Sequence, residues 1–262
     1  MIMLPRAILF DLDDTILQAH DRADAAWLVV CEELAAELRP LSPDQVAEAA
    51  GAFARHFWAD ADRHRRGRLQ LAATRREIVA GSFAALAQAG HTVPSIEVAR
   101  HLADRYSAYR DEHTKLFPDA HQVVDTLKGL GLLLALVTNG AGEVQRAKIE
   151  RFDLARRFDH IQIEGEHGFG KPDERAYTHA MRSLGVEARE AWIVGDNLEW
   201  EVAAPQRLGI YAIWRDTTGE GLPLETTVRP DRIIRSLSEL LPRTQARSGV
   251  LQNICRCGSP HP

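Results

Sequence analysis

Four short segments carry side chains that could do chemistry, and each follows an apolar run or precedes a helical one. Asp11-Leu12-Asp13-Asp14-Thr15 comes directly after Ala7-Ile8-Leu9-Phe10. Residues two apart on an extended chain point the same way, so Asp11 and Asp13 share a face and Leu12 turns back. Such a pair is either a catalytic couple of carboxylates or a turn with a helix cap. Thr138-Asn139-Gly140 ends a second apolar run, where the Thr138 hydroxyl and the free N–H groups of the next helix could hold an anion. Lys171 sits in Phe169-Gly170-Lys171-Pro172 and Asp196 in Gly195-Asp196-Asn197, each just before a helical stretch. Alone, each segment is an ordinary turn, solvated loop or cap. Together, in this order and after these runs, they point to one site in the crevice beyond the carboxyl ends of a sheet.

The elements that must position them read as an α/β fold. Continuous apolar runs occur at Ala7–Phe10, Leu132–Val137, His160–Ile163, Ala191–Val194 and Ile210–Trp214. Runs of this length suit strands buried on both faces of a parallel sheet. Helices are expected over Asp119–Lys128, stopped by Gly129 and Gly131, and over Glu143–Phe152, Asp173–Leu184 and Glu199–Arg207. The alternation predicts a doubly wound, Rossmann-like parallel sheet.

After the first strand a long stretch contains no convincing strand. Trp27, Cys31, Leu34 and Leu38 fall at helical spacing. Ser42-Pro43-Asp44-Gln45 is a capping box with proline at the first helical position, and Val46, Ala50, Phe53 and Phe57 continue that helix. Val79, Phe83 and Leu86 mark a third helix ended by Gly90, and Val98, Leu102, Tyr106 and Tyr109 a fourth starting near Ser95. The expected organisation is residues 1–17 for the first strand and its loop, 18–111 for an inserted all-helical cap, 112–241 for the rest of the core, and 242–262 for a loose polar tail.

The 262 residues are 45% hydrophobic and 26% charged, a balance that argues against disorder or coiled coil. No run is long enough to span a membrane, and the N-terminus lacks signal-peptide order. A net charge of −5 offers no global basic field for a nucleic acid polymer or anionic lipid. Three cysteines, Cys31, Cys255 and Cys257, cannot build a disulfide framework, so a cytoplasmic location is expected. Cys255-Arg256-Cys257 has no second pair for zinc. Trp192, Trp200 and Trp214 are expected to pack rather than react.

The four segments resemble the motifs of the haloacid dehalogenase-like hydrolase superfamily, present here as Asp11-Leu12-Asp13-Asp14-Thr15, Val137-Thr138-Asn139, Gly170-Lys171-Pro172 and Val194-Gly195-Asp196. The likeness covers the first strand and the chain from Phe117 to about Leu241, and the helical insert sits where capped members carry their cap. The resemblance implies Asp11 as nucleophile and Asp13 as general acid–base. It further implies Thr138, Asn139 and Lys171 as phosphate binders, and Mg2+ held by Asp11, the Asp13 backbone carbonyl and Asp196.

Elementary electrostatics agrees with those roles. Two like unit charges ~4 Å apart cost about 4 kcal/mol at an effective dielectric of ~20, so three aspartates and a phosphate require a divalent cation beside Lys171. Oxygen ligands suit magnesium.

One position departs from the family pattern. A second aspartate usually follows the fourth motif, and here Glu201 stands in its place, either near the metal or solvated in a first helical turn. Among the cap arginines, Arg65 and Arg66 are candidates to meet a second anionic group of the substrate, the alternative being a solvated helix face.

The expected function is Mg2+-dependent removal of phosphate from a small metabolite: a sugar phosphate, phosphoglycolate or a nucleoside monophosphate. The alternatives are a 2-haloacid dehalogenase and a non-catalytic phosphate-binding relative. Asp13 favours the phosphatase, because a departing halide needs no proton.

Overall fold

The computed structural model describes residues 4–19 and 23–242. The strands are β1 (Ala7–Phe10), β2 (Leu17–Gln18), β3 (Lys115–Leu116), β4 (Leu133–Thr138), β5 (His160–Ile163), β6 (Ala191–Gly195), β7 (Tyr211–Arg215) and β8 (Arg232–Ile234). Six form one sheet in the order β5-β4-β1-β6-β7-β8, and every pairing in it is parallel. β1 is therefore central. The chain leaves it to one side for β4 and β5, then returns to its other side for β6, so the order reverses at β1. A crevice opens beyond the strand ends at such a reversal.

Alternation along β1 explains why the run is apolar throughout. Ile8 and Phe10 enter one core with Val123, Val124 and Leu127, while Ala7 and Leu9 enter another with Ala176, Tyr177 and Ala180. Each fully buried Leu, Ile or Phe contributes about 1.5–3 kcal/mol.

The helices are α1 (Ala23–Glu33), α2 (Pro43–Ala59), α3 (Ala61–Leu69), α4 (Leu71–Gln88), α5 (Ile96–His113), α6 (Ala120–Gly129), α7 (Gly142–Arg151), α8 (Glu164–His167), α9 (Glu174–Leu184) and α10 (Ala204–Arg207). The first five form the insert, around its own core of Trp27, Val30, Phe57, Val79, Leu102 and Tyr106. The capping box opens α2 as expected: Gln45 N–H donates to Ser42 Oγ at 3.3 Å and Ser42 N–H to Gln45 Oε1 at 3.0 Å. β2 and β3 pair antiparallel, which ties the entrance and exit of the insert side by side next to the end of β1.

Several expectations need correction. Among its described residues the insert has five helices, not four, because α3 carries no apolar stripe to betray it; Asp60 caps it by accepting from Arg63 N–H at 2.8 Å. Helix α1 stops at Glu33, so Leu34 and Leu38 pack from turns. Asp111 falls inside α5, which runs on to His113. Strand β8 was not expected, being short, at the sheet edge and flanked by charge. The stretch expected as one helix from Glu199 opens as a π-helical turn, Leu198–Ala203, before α10. The tail beyond Pro242, with Cys255 and Cys257, lies outside the described residues. Among those described, no helix is long and apolar enough to cross a membrane.

Candidate active site

The end of β1 delivers Asp11 into the crevice, and its N–H donates to Val194 O on β6 at 3.0 Å. Leu12 turns down into the core, as alternation demands. The chain then reverses through Asp14 at φ +60°, with Asp14 N–H donating to Leu17 O at 2.6 Å. Asp11, Asp13, Thr138, Asn139, Asp196 and Glu201 all line one cavity of about 480 Å³.

Lys171 lies beneath that lining, 1% exposed, with its ammonium 2.6 Å from Asp11 Oδ1 and 2.8 Å from Glu201 Oε1. The Glu201 contact is an ion pair without well-aligned hydrogen-bond geometry. Burial opposes the Lys171 charge, but Asp11 and Glu201 outweigh it and hold its pKa above the usual lysine range. The acids respond in the opposite sense. Burial pushes Asp11 up against the opposing pull of Lys171. Burial, with help from Asp11, Glu201 and Asp14, pushes Asp196 up to about 9. Burial lifts Glu201 to about 7. Asp11 Oδ2 is buried with no hydrogen-bond partner. One lysine is thus shared among too many carboxylates.

Glycines make this arrangement possible. A Cβ on Gly195 would stand 2.0 Å from Glu201 Cγ, so only glycine lets Glu201 fold back from the π-helical turn onto Lys171. Glu201 Oε2 also accepts from Asn197 N–H at 2.9 Å. Its carboxylate is therefore set against Lys171 and the Asn197 backbone. A Cβ on Gly170 would meet Asn139 Oδ1 at 2.5 Å. Asn139, expected to bind phosphate, lines the cavity and also clamps the Lys171 backbone, donating from Nδ2 to Lys171 O at 2.7 Å and accepting from Lys171 N–H at 2.8 Å. Its side chain thus positions the lysine loop at the edge of the cavity.

Two residues that hold Asp13 escaped the sequence reading. Lys148 donates to both Asp13 oxygens at 2.8 and 2.9 Å. Gln145 Nε2 donates to Asp13 Oδ2 at 3.0 Å and to Thr138 Oγ1 at 2.5 Å. They lie one turn apart on α7, the helix after Thr138, and that i, i+3 spacing was the available signal.

The insert forms the opposite wall. Arg65 and Arg66, expected to touch substrate, do not line this cavity. Arg66 is exposed and pairs with Glu77 at 3.5 Å, while Arg65 is exposed beside a neighbouring depression. The face that α3 turns inward carries His64 and Arg68 instead, four residues apart. Arg68 makes a two-pronged bridge to Glu164, 2.7 Å at each contact, and lies over Trp200 at 5.1 Å. Glu164 also accepts from Gly140 N–H at 3.1 Å, so this bridge joins the insert to the loop after β4.

The conserved pattern of the haloacid dehalogenase-like hydrolases matches residues 5–209. The chain belongs to this family. The match spans β1, the whole insert and the sheet through β6. Among similar proteins, a phosphoserine phosphatase of Thermus thermophilus is 37% identical over 145 residues, 55% of this chain and 57% of that protein. The chain thus matches little more than half of that relative's length. A ribulose-1,5-bisphosphate 5-phosphatase of Halopiger xanaduensis is 29% identical over 89% of this chain and 97% of its own. An (S)-2-haloacid dehalogenase of Burkholderia cepacia is 30% identical over 56% of this chain and 62% of its own. The crystal structure of YfnB from Bacillus subtilis, described as a HAD-hydrolase bound to magnesium, superposes with a TM-score of 0.66 at 26% identity, covering 91% of this chain and 97% of that one.

Proposed function

We propose that this hydrolase removes phosphate from a small phosphomonoester through an aspartyl-phosphate on Asp11, with Mg2+ as cofactor. The observation that carries the reading is the Asp13 carboxylate, which lines the same cavity as Asp11 and is gripped by Lys148 and Gln145. A departing alkoxide needs a proton and a departing halide does not, so an oriented acid–base group has a task in phosphoryl transfer and none in dehalogenation.

The donor set fits a hard cation. The partnerless Asp11 Oδ2 and the strongly raised Asp196 are both marks of carboxylates short of positive charge. Such carboxylates suit magnesium, which takes one or two of them and completes its shell with other oxygens. Asp11, Asp196 and the Asp13 backbone carbonyl would hold it. When bound, it stabilises negative charge on the transferring phosphoryl oxygens.

Asp11 then attacks phosphorus as the bond to the ester oxygen breaks, and Asp13 gives a proton to that oxygen. In the second half Asp13 takes a proton from water as the water attacks the aspartyl-phosphate at phosphorus. The bond to Asp11 breaks and inorganic phosphate leaves. Thr138 lines the cavity for phosphoryl oxygens, and Lys171 supplies charge beside Asp11. The insert acts as a cap, its paired connections letting it close over the crevice and exclude water.

Phosphate release from a panel of phosphomonoesters, with Mg2+ or with chelator, tests this beside Asp11→Asn. We expect metal-dependent release that Asp11→Asn abolishes, and no chloride from 2-chloro acids. Chloride release without phosphate release, or full phosphate release by Asp11→Asn, overturns it.

A further inference from the structure

The wall that the insert contributes to the cavity has an unusual chemistry. Beside Asp24 and His64, the described residues of this wall are arginines, Tyr106 and apolar side chains, among them Trp27, Trp58 and Ile78, with no Ser, Thr, Asn or Gln among them. The hydroxyl of Tyr106 already accepts from Arg110 Nη1 at 2.9 Å. A polyhydroxylated sugar would find few unengaged partners for its hydroxyls on this wall, and a polar group left unpaired in a closed pocket is costly.

The arginines are not equivalent. Arg68 is taken by Glu164, and Arg55 pairs with Asp24 at 3.3 Å. Arg110 donates to Tyr106 and to Ala19 O. Arg75 differs: among the described residues it makes no ion pair, and its guanidinium rests over the Tyr106 ring at 5.5 Å. Tyr106 is itself stacked on Trp27 at 3.5 Å, so the platform under Arg75 is rigid. Burial lowers the Arg75 pKa, and Arg110 adds like-charge repulsion, which Tyr106 and Asp111 only partly offset. Arg75 and Arg110 thus face one end of the cavity with no carboxylate among the described residues paired to either.

We propose that Arg75 is the specificity residue of this cavity and receives a carboxylate on the leaving group of the phosphomonoester, joined to the phosphate by a compact, largely apolar skeleton. The free guanidinium fork matches a carboxylate through two parallel N–H···O bonds. The volume of about 480 Å³ admits a skeleton larger than a two-carbon acid. This inference rests on the phosphatase reading above and narrows its substrate class.

The test uses benzyl and short alkyl phosphates of one skeleton bearing a carboxylate, a carboxamide or a methyl group, with several spacer lengths. Wild type should favour the best carboxylate ester by roughly tenfold to a hundredfold in kcat/KM, carried by KM. Arg75→Ala should erase that preference and leave the carboxamide and methyl esters nearly unchanged, while Arg75→Lys should restore part of it. Arg66→Ala, outside the cavity, should keep the full preference. The phosphate-free carboxylate alcohols should quench tryptophan fluorescence in wild type and far less in Arg75→Ala, a readout independent of turnover. Hydrolysis of all esters without a carboxylate preference overturns this inference and leaves the phosphatase reading standing. Carboxylate-dependent quenching without phosphate release from any ester overturns the phosphatase reading and keeps the anion site. Equal losses on every ester in Arg75→Ala show a structural role and overturn the inference.

Discussion

Lys148 holds both oxygens of Asp13, at 2.8 and 2.9 Å, from the helix that follows Thr138. Held so, the carboxylate is aimed for the proton it takes from water in the second half of the reaction. Lys148→Met should lower kcat by about tenfold or more with little change in KM. Rapid quenching should show the covalent intermediate accumulating. An unchanged kcat contradicts this role.

The Arg68–Glu164 bridge is buried on the glutamate side and largely shielded on the arginine side, at 4% and 14% side-chain exposure. Removing one partner leaves the other charge stranded, so Arg68→Met should cost about 3–5 kcal/mol of stability in urea unfolding. Arg68→Met with Glu164→Gln should recover part of that loss. A loss below about 1 kcal/mol in the single variant would show that the bridge is not held in solution.

Metal-free stability should fall as pH rises. Burial, with Asp11, Glu201 and Asp14, pushes Asp196 up to about 9, and burial lifts Glu201 to about 7. In the unfolded chain such groups titrate near about 4. The folded protein therefore holds extra protons between these values. Its stability from them is complete below about pH 4 and is lost as pH rises through about 7 and then about 9. The metal-free melting temperature should be lower at about pH 9 than at about pH 6. Mg2+ should raise it more at the higher pH, where fewer protons must be displaced. A metal-free melting temperature that climbs over this interval contradicts the assignment.

Gly195→Ala should damage the site from outside the cavity wall. The added methyl would collide with Glu201, which must then leave Lys171. Activity should fall by at least about tenfold even where the folded content, followed by circular dichroism, is retained. Normal turnover in this variant would show that the Glu201–Lys171 contact is dispensable.

Much of the core was readable because its signals are local. Buried parallel strands are apolar runs, and polar groups that follow them inherit a common edge, so Asp11, Asp13, Thr138 and Asp196 could be placed together. What escaped depends on partners distant in sequence. Helix α3 is polar along its length, and only its contact with the core shows that Arg68, not Arg65 or Arg66, turns inward. The clamp of the Asn139 amide on the Lys171 backbone, 32 residues away, was likewise invisible in the sequence. Glu201 keeps the charge of the usual aspartate, and the absence of a Cβ at Gly195 lets the longer side chain fit.

Acid quenching during turnover of a radiolabelled phosphomonoester, followed by peptide mapping, tests the nucleophile most directly. Label should appear on the peptide containing Asp11, be released by hydroxylamine as an acyl phosphate is, and be absent from Asp11→Asn. Active enzyme that never carries label, or carries it on another peptide, would contradict covalent catalysis by Asp11.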